Sequence, residues 1–370
     1  MLSLRIPAVC AVLMALTVPA VAGAATPAPK LQKILDASVK TGGFPGVAMH
    51  VRLADGTTWS GAAGKANLAT GRPLRSTDRI RAGSILKPFV AAATLQLVEQ
   101  GKLSLDATLP SLLPTSVTAR FPQAGQITVR MLLNHTSGLA EWSTPESDLE
   151  AAADPRRIWT TDEFLDRSAA LPATGAPGER WSYSNTNYNL LGLILERVTG
   201  QPWRTVIRER VIRPLKLTHT TLPEPGTRVR GNIVHGYMPI DGRLVEATDV
   251  DTSMAGAAGG QAMVTSTADL SRFVHALLTG RLFEHRSTLT AMRTSVTATD
   301  EHGLIGYGLG LERYRLPGGV ELIGHLGGTG GYLTLMLRVP EQNVDMVITI
   351  NQPGDIASVL MPALEAVLRR

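Results

Sequence analysis

The sequence predicts an α+β protein whose largely antiparallel sheet is built from both ends of the chain, with a helical insertion between them. Three observations lead there. Near the start, Gly46 to Leu53 and Thr57 to Gly61 read as strands joined across Asp55-Gly56, a strong hairpin turn. Near the end, Val320 to His325, Tyr332 to Val339 and Val344 to Asn351 read as three strands, the last two joined through Pro340-Glu341-Gln342-Asn343. Between these groups apolar residues recur at helical spacing, and consecutive strands are joined too closely for parallel crossovers.

Taken in order, the first 24 residues read as a removable export signal. Arg5 precedes an apolar stretch from Ile6 to Val21, and Ala22-Gly23-Ala24 offers small residues where a signal peptidase cuts. Pro7 and Pro19 interrupt that stretch, which falls short of the ~20 apolar residues that span a bilayer. Cleavage after Ala24 is therefore expected, giving a secreted or periplasmic protein without a stable membrane anchor. Cys10, the one cysteine, lies inside this segment and lacks the Leu and small residues that precede a lipoprotein cysteine. A chain cut after Ala24 would contain no thiol, which excludes disulfides, thiolate catalysis and cysteine metal sites. None of the eight histidines forms the i,i+4 pair of a zinc protease, so no metal centre is expected.

Hydrophobic residues are 44% and charged residues 18% of the sequence, enough apolar material for a large core. The formal charge of +5 becomes +4 without Arg5 (35 basic against 31 acidic residues), and the basic residues are dispersed. That pattern argues against a nucleic-acid partner; a weak attraction to anionic cell-wall polymers is the less common reading of an evenly solvated basic surface. The chain has no Gly-x-Ser-x-Gly elbow, no Gly-x-Gly-x-x-Gly and no P-loop, so no nucleotide or other cofactor is implied.

Further helices are expected at Lys30 to Lys40, Ile85 to Gln100, Val129 to Asn134, Thr161 to Ala170, Tyr188 to Thr199, Trp203 to Val211 and Asp355 to Leu368. No linker or repeat divides residues 30 to 370. One domain with two lobes fits best, an α/β lobe from about 30–110 and 255–370 and a helical lobe of about 111–254.

Three short motifs carry the chemistry. Ser84-Ile85-Leu86-Lys87 stands at the start of the most apolar helix, where i,i+3 spacing puts Ser84 and Lys87 on one face. Burial and the positive helix end both disfavour a charged lysine, so Lys87 can accept the Ser84 proton. Tyr183-Ser184-Asn185 follows a Pro177-Gly178 turn; if extended, it points a phenol and an amide to the same side. His325-Leu326-Gly327 ends a strand, and Gly327 and Gly328 either admit a substrate backbone or mark a bulge. Each motif alone has a plainer reading: Ser84 or Asn185 as a helix cap, Lys87 snorkelling, Tyr183 in packing, His325 as a bonded structural histidine. Together they supply a nucleophile, proton carriers and a docking strand for acyl transfer through a covalent serine intermediate.

The order Ser-x-x-Lys, Tyr-x-Asn, His-x-Gly resembles the penicillin-recognising serine hydrolases. The closer similarity is to the branch holding class C β-lactamases, serine D-alanyl-D-alanine carboxypeptidases and β-lactamase-like esterases. Leu132-Leu133-Asn134-His135-Thr136-Ser137-Gly138-Leu139, Gly178-Glu179-Arg180-Trp181-Ser182-Tyr183-Ser184-Asn185, and Gly259-Gly260 ahead of Ser266-Thr267-Ala268-Asp269-Leu270 extend it through the chain. The resemblance implies a β-lactamase/transpeptidase-like fold, an antiparallel sheet flanked by helices plus an all-helical lobe, with the active site between them. It further implies that Ser84 attacks, Lys87 and Tyr183 manage its proton, and Asn185 orients Lys87 or the substrate amide. His325 takes the place of a lysine found in many relatives. The amides of Ser84 and Gly328 would hold the oxyanion, Gly327 would line the docking strand, and His135 would be structural.

Relatives that bind a substrate carboxylate commonly carry hydroxyl residues where this chain has Leu326 and Gly328, Thr329 coming one residue later. Loss of such a charge-assisted bond costs ~1.5 to 3 kcal/mol. Trp142 and Arg315 are alternative anchors. The reading favours hydrolysis of D-alanyl-type peptides or related amides, with peptidoglycan as a candidate partner. A carboxylesterase or a weak β-lactamase is the alternative, and a non-catalytic binding relative is disfavoured by the intact motifs.

Overall fold

The structure is a computed structural model that describes residues 27–229, 231–299 and 303–368. The expected export signal, with Cys10 and Ala24, lies outside the described residues.

Twelve strands occur among the described residues. The first part of the chain supplies β1 (Gly46–Arg52), β2 (Thr58–Asn67), β3 (Arg72–Pro73) and β4 (Ile80–Arg81). The middle supplies β5 (Tyr237–Ile240), β6 (Arg243–Glu246) and β7 (Val264–Thr265). The last part supplies β8 (Leu304–Tyr307), β9 (Glu312–Arg315), β10 (Glu321–Thr329), β11 (Tyr332–Val339) and β12 (Val344–Ile350). Eight of them form one antiparallel sheet in the order β3-β2-β1-β12-β11-β10-β9-β8. The chain ends meet at its centre, where Val47 pairs with Ile350 and Arg52 with Asp345.

Alternation along the strands sorts the core into two layers. Val47, Met49, Val51, Leu335, Leu337, Met346 and Ile348 face one way and pack with Leu31, Leu35, Val359 and Leu364 of the helices Ala28–Lys40 and Ala357–Leu368. Ala48, Met336 and Val347 face the other way, into the larger core shared with the helices Leu86–Glu99 and Thr267–Leu278. Each fully buried Leu, Ile, Val or Met contributes ~1.5 to 3 kcal/mol, so both layers help hold the sheet against its helices.

The helix Leu86–Glu99 is buried over eleven of its fourteen residues, and Phe89 stacks on Phe273 at 3.6 Å between ring centroids. Pro88 sits in its first turn, where a missing N–H breaks no helical bond. The interior position of this helix makes it a fixed platform.

The structure departs from the sequence expectations in several places. The middle of the chain is not wholly helical, because β5 and β6 form a hairpin at Asp241-Gly242, both with positive φ. The helix from Trp203 passes into a wider turn at Arg208–Ile212. Helices Pro145–Ala153 and Thr267–Leu278 and strands β8 and β9 were not anticipated. The helix expected from Tyr188 begins three residues earlier, at Asn185. Strand β10 continues to Thr329 in unbroken register with β11, so Gly327 and Gly328 are strand residues and not a bulge.

Candidate active site

Ser84 occupies a single 3-10 turn, Gly83–Ile85, that leads directly into the helix Leu86–Glu99. Gly83 has φ of +57°, and a Cβ there would meet the Gly328 carbonyl oxygen at 2.5 Å. Only glycine lets the turn come this close to β10. Strand β9 stops opposite Gly324, so from His325 onward β10 has a strand partner on one side only, and the other edge lies against the Ser84 turn.

Gly327 completes that approach: a Cβ there would lie 2.1 Å from the Ala82 oxygen and 2.9 Å from the Ile85 nitrogen. Both atoms are backbone and cannot swing aside. Gly327→Ala is expected to destabilise the protein by about 1 to 3 kcal/mol, read as a lowered midpoint in thermal denaturation. Gly328→Ala, whose nearest neighbour would be Leu333 Cδ1 at 3.7 Å, should leave the midpoint close to wild type. An unchanged midpoint for Gly327→Ala would remove this account of the contact.

The Ser84 Oγ lies 2.9 Å from Lys87 Nζ and 2.9 Å from Tyr183 OH. Lys87 is fully buried, and its amine also reaches Asn185 Oδ1 at 2.7 Å and the Ala258 carbonyl at 2.5 Å. Both of these oxygens only accept. A neutral amine gives its two protons to them and turns its lone pair toward Ser84, the orientation a base requires. Burial lowers the Lys87 pKa from 10.5 to about 7, against the opposing pull of Glu141 and Glu312. Desolvation thus overcomes two nearby carboxylates and makes the neutral amine accessible near pH 7.

Tyr183 stands in the extended segment before the helix Asn185–Thr199, with Ser184 also extended at φ −150° and ψ 124°. Its ring stacks on His135 at 4.4 Å, and Lys87 Nζ lies 4.9 Å from its centre. Burial pushes the phenol well above its usual pKa of 10, outweighing the bond to Ser84. The phenol is therefore protonated at neutral pH, which leaves the Lys87 amine as the group beside Ser84 that can be unprotonated there. His135 holds its place by accepting from Asn187 Nδ2 at 2.9 Å and the Ser184 N–H at 3.2 Å, a structural position.

Asn185 opens its helix, accepting from Lys87 through its side chain while its N–H donates to Glu141 at 2.7 Å. Sequence reasoning missed Glu141. Its carboxylate also accepts from the Ser143 N–H at 2.6 Å, and burial raises its pKa. No spacing rule links it to Lys87, because the two meet only through the fold.

His325 keeps different company from that expected of a second proton carrier. Its Nδ1 lies 2.5 Å from the Leu326 carbonyl, which can only accept, so Nε2 is the acceptor for the Tyr307 hydroxyl at 2.9 Å. Burial, with the charge of Lys87, lowers its pKa to about 3. A neutral imidazole adds no positive charge beside Tyr183. The histidine instead braces β10 against β8 and β9, where Glu312 accepts from the Leu326 N–H at 2.6 Å.

A cleft of about 270 Å³ opens over Ser84, lined also by Asn185, Trp142, Gly328, Thr329 and Asp148. Thr329 thus brings a hydroxyl to the cleft, whereas Leu326 packs into the opposite layer of the core. Of the two alternative anchors, Trp142 is at the cleft and bonds Asn189 at 3.0 Å. Arg315 is not: it is exposed on β9 and paired with Glu321 at 2.6 Å.

A buried Ser-Lys pair with a phenol on the same oxygen, set between an antiparallel sheet edge and the start of the helix Asn185–Thr199, defines a serine hydrolase. The chain belongs to the Beta-lactamase family, whose pattern it matches over residues 31–367. It is similar to penicillin-binding protein 4 of Amycolatopsis lactamdurans, with 30% identity covering 85% of this chain and 82% of that one. Among solved structures it is similar to a D-stereospecific amidohydrolase from Streptomyces sp., at 34% identity and a TM-score of 0.79, covering 92% and 98% of the two chains. It also resembles the D-amino acid amidase of Ochrobactrum anthropi SV3 complexed with L-phenylalanine amide, at 28% identity and a TM-score of 0.81, covering 92% and 97%. Against several other curated relatives the chain spans only about half to two thirds of their length.

Proposed function

We propose that this enzyme hydrolyses small D-aminoacyl amides through an acyl-enzyme on Ser84, and that it acts outside the cytoplasm. The observation that carries the reading is the Ser84 oxygen, held at 2.9 Å by both a buried lysine and a protonated tyrosine. Lys87 takes the Ser84 proton as Oγ bonds the carbonyl carbon. The amides of Ser84 and Gly328 hold the oxyanion. The C–N bond then breaks, and the departing amine receives the proton through Tyr183. Water repeats the sequence on the acyl-enzyme, releasing the acid and restoring Ser84.

The choice of amide over carboxylate-ended peptide rests on the cleft and the relatives. Among the described residues no Lys or Arg lines the cleft, so a terminal carboxylate meets no cation from them there. At about 270 Å³ the space falls just below the ~300 to 1,000 Å³ usual for ligand pockets, which suits a single aminoacyl group. Two of the solved relatives are amide hydrolases by name, one with an amino-acid amide bound. The export expectation rests on the Ile6 to Val21 stretch alone.

The test is a panel of D-phenylalanine amide, a D-alanyl-D-alanine peptide, a short-chain p-nitrophenyl ester and a chromogenic cephalosporin. Intact-mass trapping of the adduct on Ser84 accompanies each assay. The expected result is fastest turnover of the amide, with the carboxylate-ended peptide tenfold or more slower. Ester turnover without amide cleavage would reject the amidase reading in favour of an esterase.

A further inference from the structure

Among the described residues the cleft over Ser84 has one charged lining residue, Asp148. Its other polar lining side chains are Ser84, Ser143, Asn185, Thr329, Trp142 and Tyr332, and the remainder are apolar or glycine. Lys87 lies beneath Ser84, fully buried and already bonded.

Asp148 stands in the first turn of the helix Pro145–Ala153, which Thr144 and Ser147 close with a capping box. The cap already satisfies the helix start, so Asp148 is not needed there. The neighbouring acids behave differently. Glu146 is exposed, and Glu150 pairs with Arg157 and Arg167. The Asp148 carboxylate makes no hydrogen bond or ion pair with another described residue, although it is half-buried at the cleft wall. Burial raises its pKa to about 6, with no cation opposing the effect. A half-buried carboxylate without a partner destabilises the free protein unless a ligand supplies the positive charge. The ligand that enters this cleft is the substrate.

We propose that Asp148 is a specificity-determining residue that receives the α-ammonium group of the substrate, selecting aminoacyl amides with a free amino group over analogues that lack it. The proposal rests on the amide-hydrolase reading and narrows its substrate class. The apolar residues Trp142, Met238, Met254 and Leu333 leave room for an uncharged side chain beside the ammonium. The carboxylate does not enter the covalent steps. It holds one end of the acyl group, which fixes the carbonyl over Ser84.

The experiment compares D-phenylalanine amide with 3-phenylpropionamide, the same amide without its ammonium group, on wild type, Asp148→Asn and Asp148→Glu at pH 8. For Asp148→Asn the expected result is a loss of roughly 10- to 100-fold in kcat/KM on D-phenylalanine amide, mostly through KM. On 3-phenylpropionamide the change should stay within about threefold, and Asp148→Glu should restore part of the preference. Equal losses on both amides, or no loss on either, would overturn the role of Asp148 while leaving the amidase intact. Labelling of Ser84 by a serine-reactive phosphonate without cleavage of either amide would instead overturn the amidase reading, and this proposal with it.

Discussion

Ser84→Ala is expected to lower kcat on every substrate by at least about 10⁴-fold and to abolish labelling by a serine-reactive phosphonate. The substitution removes one oxygen that already has both of its partners in place, so nothing nearby can take over the attack. Lys87 would keep its bonds to Asn185 and Ala258, and the helix Leu86–Glu99 would keep its buried face. Folding should therefore survive, which circular dichroism and an unchanged melting midpoint would verify. Labelling of the folded variant at the wild-type rate would disprove the covalent role of Ser84.

Lys87→Met is expected to cost about 10²- to 10⁴-fold in kcat, the usual range for a lost general base, and to change the shape of the pH profile. In the wild type only neutral Lys87 can accept the Ser84 proton. Activity on an uncharged ester should rise with pH through about 7, where burial has set the lysine pKa, and be lost as the amine protonates below it. Neither buried histidine supplies that limb, since burial holds His325 near 3 and His135 well below its ordinary value. The Met variant should lack the limb near 7 altogether. A wild-type profile flat between pH 5 and 9, or a limb that persists in Lys87→Met, would contradict the assignment.

Local features were legible in the sequence because short-range rules govern them. Ser84 and Lys87 lie three residues apart where a 3-10 turn runs directly into the helix Leu86–Glu99, so their meeting follows from helical geometry. Tyr183 and Asn185 share a side because the backbone between them is extended. The sheet was legible from alternation and from the Asp55-Gly56 turn, although β2 and β10 run farther than their apolar cores suggest. The role of His325 was hidden, since its neutrality comes from burial beside Lys87 and its tautomer from the Leu326 carbonyl and the distant Tyr307 hydroxyl, none of which a spacing rule reveals. Glu141 and Asp148 were hidden for the same reason. Each is an ordinary acidic residue until the fold decides whether it meets a backbone amide or an open cleft.

The pairing of β1 with β12 has a consequence for how the chain is made. Val47 and Ile350 are about 300 residues apart, yet their strands are neighbours at the centre of the sheet. During synthesis β1 and its hairpin partner emerge early and wait with one edge open until nearly the whole chain has followed. Contacts of such long sequence separation make folding slow. The edge of β10 that meets the Ser84 turn belongs to the same late-arriving part, so reactivity should be among the last properties the molecule acquires.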